Sequence, residues 1–215
     1  MSKTASISHY SPVEERLNVS SHAIGFVLSA IASIALLERA MTLGGSLYLV
    51  SFGIFGLSLL FLYGSSTIYH RTKNMVLRGK LRILDHSSIY VLIAGTYTPF
   101  TLITLQGTTG WVIFGACWVM ALTGIILKFF FTGRYKLLST LMYVFMGWLI
   151  LFAIGPLIEK FPPAGLSWLV AGGLAYTLGA ALYSFKRIRF NHAIFHVFVL
   201  LGSSCHFVAV YLYVV

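Results

Sequence analysis

The chain has 215 residues, of which 58% are apolar and only 9% charged, and its mean hydropathy is +0.88. A soluble globule carries charge on roughly a quarter of its residues, so composition excludes one and places this chain in a bilayer. The net charge of +10 does not point to nucleic acid, because no soluble surface is left on which to spread a basic patch; it must be sorted loop by loop.

A hydrocarbon core about 30 Å thick needs roughly 20 apolar residues per helix. Runs of that kind fall at residues 20–38, 46–70, 83–105, 111–131, 137–157, 166–185 and 191–214. The prediction is an all-α polytopic membrane protein, a single seven-helix bundle covering 1–215. Its longest connection, 71–82, leaves no room for a separate extramembrane domain. The first run lacks a small-residue cleavage pattern and carries Asn18 and His22 at its start, so it is expected to be a retained helix and not a signal peptide. Cys117 and Cys205 both sit within apolar runs, which argues against a disulfide framework or a cysteine-type metal site.

Short cytoplasmic loops are enriched in Lys and Arg. Lys3 and Arg16 precede the first span; Arg71, Lys73, Arg78, Lys80 and Arg82 lie between the second and third. Lys128, Arg134 and Lys136 mark the fourth connection to the fifth, and Lys186, Arg187 and Arg189 the sixth to the seventh. Thirteen basic residues thus share one side and only Arg39 and Lys160 take the other, which predicts an N-terminus inside and a C-terminus outside.

Ionisable groups at membrane depth are costly, so each is a candidate for function. Glu15, Asn18 and His22 lie at the start of the first span, His70 closes the second, Asp85 and His86 open the third, and His192 and His196 open the seventh. In the alternating topology these ends converge on one layer. His192 and His196 are four apart and share a helix face, as do Ser66 and His70, while Glu15, Asn18 and His22 follow an i, i+3, i+7 pattern. A catalytic zinc takes three protein ligands and leaves its fourth position open. His70, His192 and His196 would supply the three, Asp85 would hold or deprotonate the water, and Ser66 would orient a ligand or substrate.

Each residue also has a plainer reading. A lone histidine at a helix end is an ordinary polar cap, and Glu15, Asn18 and His22 could be a capped helix start, a second polar cluster or a lid over the metal. His86 points some 100° away from Asp85 around the helix and is expected to face a loop or headgroups. His206 lies about 15 Å deeper than His196, too far for the same ion, and is expected to hydrogen-bond a neighbouring helix. Trp111, Trp148 and Trp168 read as an interfacial belt. Pro99 and the pair Gly172-Gly173 read as sites of kinking or close packing.

The motifs Glu15-x-x-Asn18-x-x-x-His22, Ser66-x-x-x-His70, Asp85 ahead of GTYTPF at 95–100, and Asn191-His192-x-x-x-His196 with His206 beyond resemble the hemolysin III branch of the progestin and adipoQ receptor family over nearly the whole chain. The resemblance implies a seven-helix, N-inside fold in the bacterial inner membrane. It implies zinc bound at the positions of His70, His192 and His196, with Ser66 and Asp85 beside it. It further implies membrane-lipid homeostasis, with kinship to lipid amide hydrolases, and a reported lytic activity in the branch.

Three functions therefore compete: a zinc-dependent hydrolase of a lipid amide or ester, a non-catalytic sensor or regulator with structural zinc, and a lytic, hemolysin-like membrane protein. The expected partners are membrane lipids. A retinal protein is excluded because residues 191–215 contain no lysine for a Schiff base. A G-protein-coupled receptor would place its N-terminus outside, against the charge bias.

Overall fold

Seven helices long and apolar enough to cross a membrane are present in the computed structural model, which describes residues 10–185 and 187–215. They comprise α1 (Pro12–Leu43), α2 (Ser46–Arg71), α3 (Met75–Pro99), α4 (Gly107–Phe131), α5 (Lys136–Gly147), α6 (Ile154–Lys160), α7 (Pro163–Ser184) and α8 (Asn191–Tyr213). Helix α3 runs on through a π-helical turn, Phe100–Leu105, and a 3-10 segment, Leu149–Ala153, joins α5 and α6 into the fifth span. Lys3 and Lys186, both counted towards the expected orientation, lie outside the described residues.

Two helices begin about two turns earlier than their apolar runs. Helix α1 starts at Pro12, with Ser11 as its cap accepting the Glu14 N–H at 3.2 Å, Pro12 in the first turn, and Glu14 and Glu15 against the helix dipole. Helix α3 starts at Met75, where the Asn74 side chain accepts from Leu77 N at 3.0 Å. The expected loop 71–82 therefore shrinks to residues 72–74. Hydropathy missed these turns because charged residues with good helix propensity fill them.

The chain order closes on itself. Helix α1 packs between α2 and α8, α2 packs on α3, α3 on α4, and α7 on α8, while α5 touches α3, α4 and α7. Most of the third span is buried, whereas less than half of every other one is, so α3 is the central helix. Large apolar side chains such as Leu57, Phe130 and Phe152 point outward, as expected where the surroundings are lipid. The interior carries hydroxyls that bond back to their own helix, among them Ser29 to Gly25 O at 2.7 Å and Thr98 to Ala94 O at 2.9 Å, so their burial leaves no unmet donor.

Pro99 does more than kink. After it the backbone widens to i−5 bonding, with Gln106 N donating to Thr101 O at 3.1 Å. Opposite, the fifth span loses its α-helical ladder at Gly147, and Tyr97 of α3 repairs the gap. Its hydroxyl donates to Gly147 O at 2.8 Å and accepts from Ile150 N at 2.9 Å. Such repair is needed where no water can serve the backbone. Trp148 sits at this break, mid-span, and donates to Thr177 Oγ1 at 2.9 Å; it is no belt residue, unlike the exposed Trp111 and Trp168. Gly172 packs closely, since a Cβ there would come within 2.7 Å of His206 Nε2, and α7 stays unbroken across it.

Candidate metal centre

His70 occupies the last turn of α2, and His192 and His196 the first turns of α8. All three are buried. His192 Nε2 lies 3.1 Å from His70 Nε2 and 3.1 Å from His196 Nε2, and one donor atom from each falls within 4.8 Å of the others. Among the described residues this is the group of histidine, cysteine and carboxylate side chains gathered closely enough to hold an ion.

The donor set fits a tetrahedral metal. Zn–N bonds of the usual length require N···N separations of about 3.3 Å, close to those seen here. Two of the outer nitrogens agree, while His192 Nδ1 has no hydrogen-bond partner. His70 Nδ1 donates to Glu15 Oε2 at 2.7 Å, and His196 Nδ1 donates to Asn18 O at 3.3 Å. Both bonds leave the Nε2 lone pairs facing inward, the tautomer a ligand needs. Arg78 in turn holds the second oxygen of Glu15 and lies 5.0 Å from the Tyr69 ring. The Tyr10 ring stacks on His192 at 4.8 Å and covers the triad from the N-terminal side.

The first helix contributes more than a capped start. Asn18 and His22 are buried, and the His22 ring stacks on His196 at 3.5 Å and meets Tyr63 edge-on at 5.1 Å. Neither nitrogen of His22 has a hydrogen-bond partner. It forms a second polar layer against the triad without joining it.

The rings of His22, His192 and His196 form one end of an elongated cavity of about 210 Å³. Ser66, Asp85 and His22 share its wall with His192 and His196, so both residues assigned to water and substrate stand beside the candidate ligands. Asp85 Oδ2 is 3.4 Å from His86 Nδ1. His86 itself lines the cavity, where a loop or headgroup position was expected; its Nδ1 donates to Arg82 O at 2.9 Å, which turns the ring inward. From Asp85 to Phe100 the wall runs about 22 Å along α3 at the helical rise. The far end is apolar, with Phe100, Leu157 and Leu166.

Part-way along lies a polar ladder that sequence reading missed. Tyr63 donates to Ser203 Oγ at 2.8 Å, and the Tyr176 hydroxyl lies 2.9 Å from the same atom. His206 stacks on Tyr176 at 5.4 Å and lines the cavity. Its Nδ1 has no hydrogen-bond partner, so the expected bond to a neighbouring helix is replaced by stacking. The spacing was there to find: Tyr63, Ser66 and His70 share one face of α2, and His192, His196, Val199, Ser203 and His206 share one face of α8. Lys128 and Arg82, counted in the sequence as loop charges, are also buried in the cavity wall.

A sequence model of the family described as "Haemolysin-III related" matches residues 10–207. Hemolysin-3 of Bacillus cereus is 46% identical over 201 residues, covering 94% of this chain and 92% of that protein. The Hemolysin-3 homolog of Bacillus subtilis strain 168 is also 46% identical, over 94% of this chain and 95% of its own length. At a greater distance, the human monocyte to macrophage differentiation factor is 28% identical over 93% of this chain and 84% of its own.

Proposed function

The chain belongs to the haemolysin-III-related family, and on that premise we propose that it is a zinc-dependent lipid hydrolase of the bacterial plasma membrane that serves membrane-lipid homeostasis. The observation that carries this reading is the convergence of three imidazole donors, His70, His192 and His196, two of which, His192 and His196, line a long apolar cavity that also holds one carboxylate, Asp85.

Each residue has a role in it. His70, His192 and His196 hold the metal, and Glu15 and the Asn18 carbonyl fix the ligand rings. When bound, zinc supplies Lewis acidity to an amide or ester carbonyl and lowers the pKa of water. Asp85 takes the proton of the attacking water and returns it to the departing amine or alcohol. Ser66 orients the carbonyl by its hydroxyl. The apolar far end receives the acyl chain and keeps bulk water from the reacting bond, and Tyr10 does the same from the other side.

A second reading is favoured by one observation: the triad joins α2 to α8, elements 122 residues apart in sequence, and α1 is bonded to both. Such a clamp suits structural zinc in a sensor or regulator. Lysis, which the name Hemolysin-3 ascribes to the Bacillus cereus relative, follows in our reading from overloading a membrane with an apolar seven-helix protein.

Metal analysis of detergent-purified protein beside His196→Ala, followed by incubation of both with mixed bacterial lipids and mass spectrometry for released fatty acid, tests the proposal. One zinc per chain in wild type, lost in the variant, with metal-dependent release is the expected result. Zinc without release moves the protein to the regulatory reading, and absence of zinc overturns both.

A further inference from the structure

Lys128 is the least expected residue of the cavity wall. It lies in the last turn of α4, at the end of the bundle that holds the histidine triad, and is only 5% exposed. A lysine acting solely as a topological anchor extends its ammonium to the headgroups; this one does not. Its hydrogen bond is to the Ser139 hydroxyl at 2.7 Å, and it lies 5.5 Å from the centre of the Tyr143 ring. Both partners are neutral. The ion pairs among the described residues involve Glu15 and Asp85, and none involves Lys128.

The surroundings add positive charge. Arg82, 4% exposed, lines the same cavity one turn before Asp85 and His86, and Arg134 lines it as well. Tyr143 links the two regions, since its ring faces Lys128 and its hydroxyl donates to His86 O at 2.9 Å. Against Arg82, Lys128 and Arg134 the cavity wall sets one carboxylate, Asp85. A buried cation whose partners are neutral, as those of Lys128 are, costs several kcal/mol, and folds retain such groups where a ligand of opposite sign completes them.

We propose that this end of the cavity is a subsite for an anionic head, a phosphate or carboxylate, carried by a lipid whose chain lies along the apolar wall towards Phe100 and Leu166. Lys128 supplies a point charge and Arg82 a planar fork, a pair suited to a tetrahedral or planar oxyanion. The inference deepens the proposed function by naming the class of lipid, and it rests on that reading only for the lipid's presence, not for metal or turnover.

Binding of radiolabelled hexadecyl phosphate to the full chain in nanodiscs of zwitterionic lipid tests it, with palmitate, hexadecanol, hexadecyltrimethylammonium and inorganic phosphate as competitors. Hexadecyl phosphate and palmitate are expected to displace the label, and their order tells which oxyanion the subsite prefers. Hexadecanol and the ammonium compound are expected to fail. Lys128→Met is expected to weaken hexadecyl phosphate at least about tenfold, the loss of one charged hydrogen bond, and Lys128→Arg to keep most of the affinity. Without ligand, Lys128→Met is expected to melt at a higher temperature than wild type, because an uncompensated charge has been removed from the interior. Displacement by hexadecanol as strong as by the anions, or undiminished binding by Lys128→Met, overturns the proposal. Displacement by inorganic phosphate alone at equal concentration overturns the lipid part of it. The same measurements on His196→Ala keep the two readings apart, since head binding survives there even if hydrolysis is never observed.

Discussion

The carboxylate of Glu15, in the first turn of α1, lies 2.7 Å from Nδ1 of His70, at the end of α2, and its other oxygen is held by Arg78 of α3. One side chain thereby ties three helices to a candidate ligand and fixes that ligand's tautomer. Outer partners of this kind set the basicity and aim of a metal-binding imidazole.

Glu15→Gln is expected to weaken zinc about 10- to 100-fold while leaving the helices assembled. Competition with a fluorescent chelator measures it. Unchanged affinity would show that Glu15 acts only as a helix-capping charge.

Tyr10 covers the triad by stacking on His192. Such a contact is worth about 1 kcal/mol, so Tyr10→Ala is expected to speed the stripping of metal by a water-soluble chelator by about fivefold, without changing the amount of metal bound at equilibrium by more than a similar factor. Stopped-flow chelation reads the rate. Equal rates would show that chelator reaches the ion by another route.

Tyr97 serves two backbone groups at the break in the fifth span. In Tyr97→Phe both are left in an apolar setting without a partner, at a cost of about 1–3 kcal/mol each. The expected outcome is a clear fall in the detergent melting temperature. No fall would mean that the break finds other partners.

Gly172 leaves no space beside His206. Gly172→Ala is expected to destabilise by about 1–3 kcal/mol, as overpacking does, and His206→Ala in the same chain is expected to restore most of the loss. Thermal unfolding of the two single variants and the double variant forms the cycle. Additive losses would mean that the two residues do not meet.

The charge bias predicts which way the bundle faces. In a variant lacking Cys117 and Cys205, a cysteine replacing Lys73 is expected to be shielded from a membrane-impermeant maleimide in intact cells, and one replacing Gly45 to react. The opposite labelling pattern would invert the predicted orientation.

Seven spans were legible because lipid imposes length and apolarity on each helix. The candidate ligands were legible because His192 and His196 keep helical spacing and the alternation of spans brings His70 to their level. Boundaries were less so. The first turns of α1 and α3 are polar, and the signals that start them, Ser11 before Pro12 and Asn74 before Met75, are caps and not hydropathy. The chamber was invisible for a different reason: a hydropathy count treats Lys128 and Arg82 as loop charges, while only packing shows them turned inward. Trp148 was misplaced likewise: it lies in the middle of the run 137–157, but composition alone does not show that its partner is Thr177.

The order in which the chain is made gives the triad a further meaning. Its first histidine is synthesised 122 residues before its second, and α1, which buttresses both, comes earlier still. Throughout the intervening synthesis Glu15, Asn18 and His70 must wait in the bilayer for α8 to arrive. The triad is therefore complete only once α8 has been inserted and has docked against α1 and α2, so on the proposed reading metal capture would come last in biogenesis.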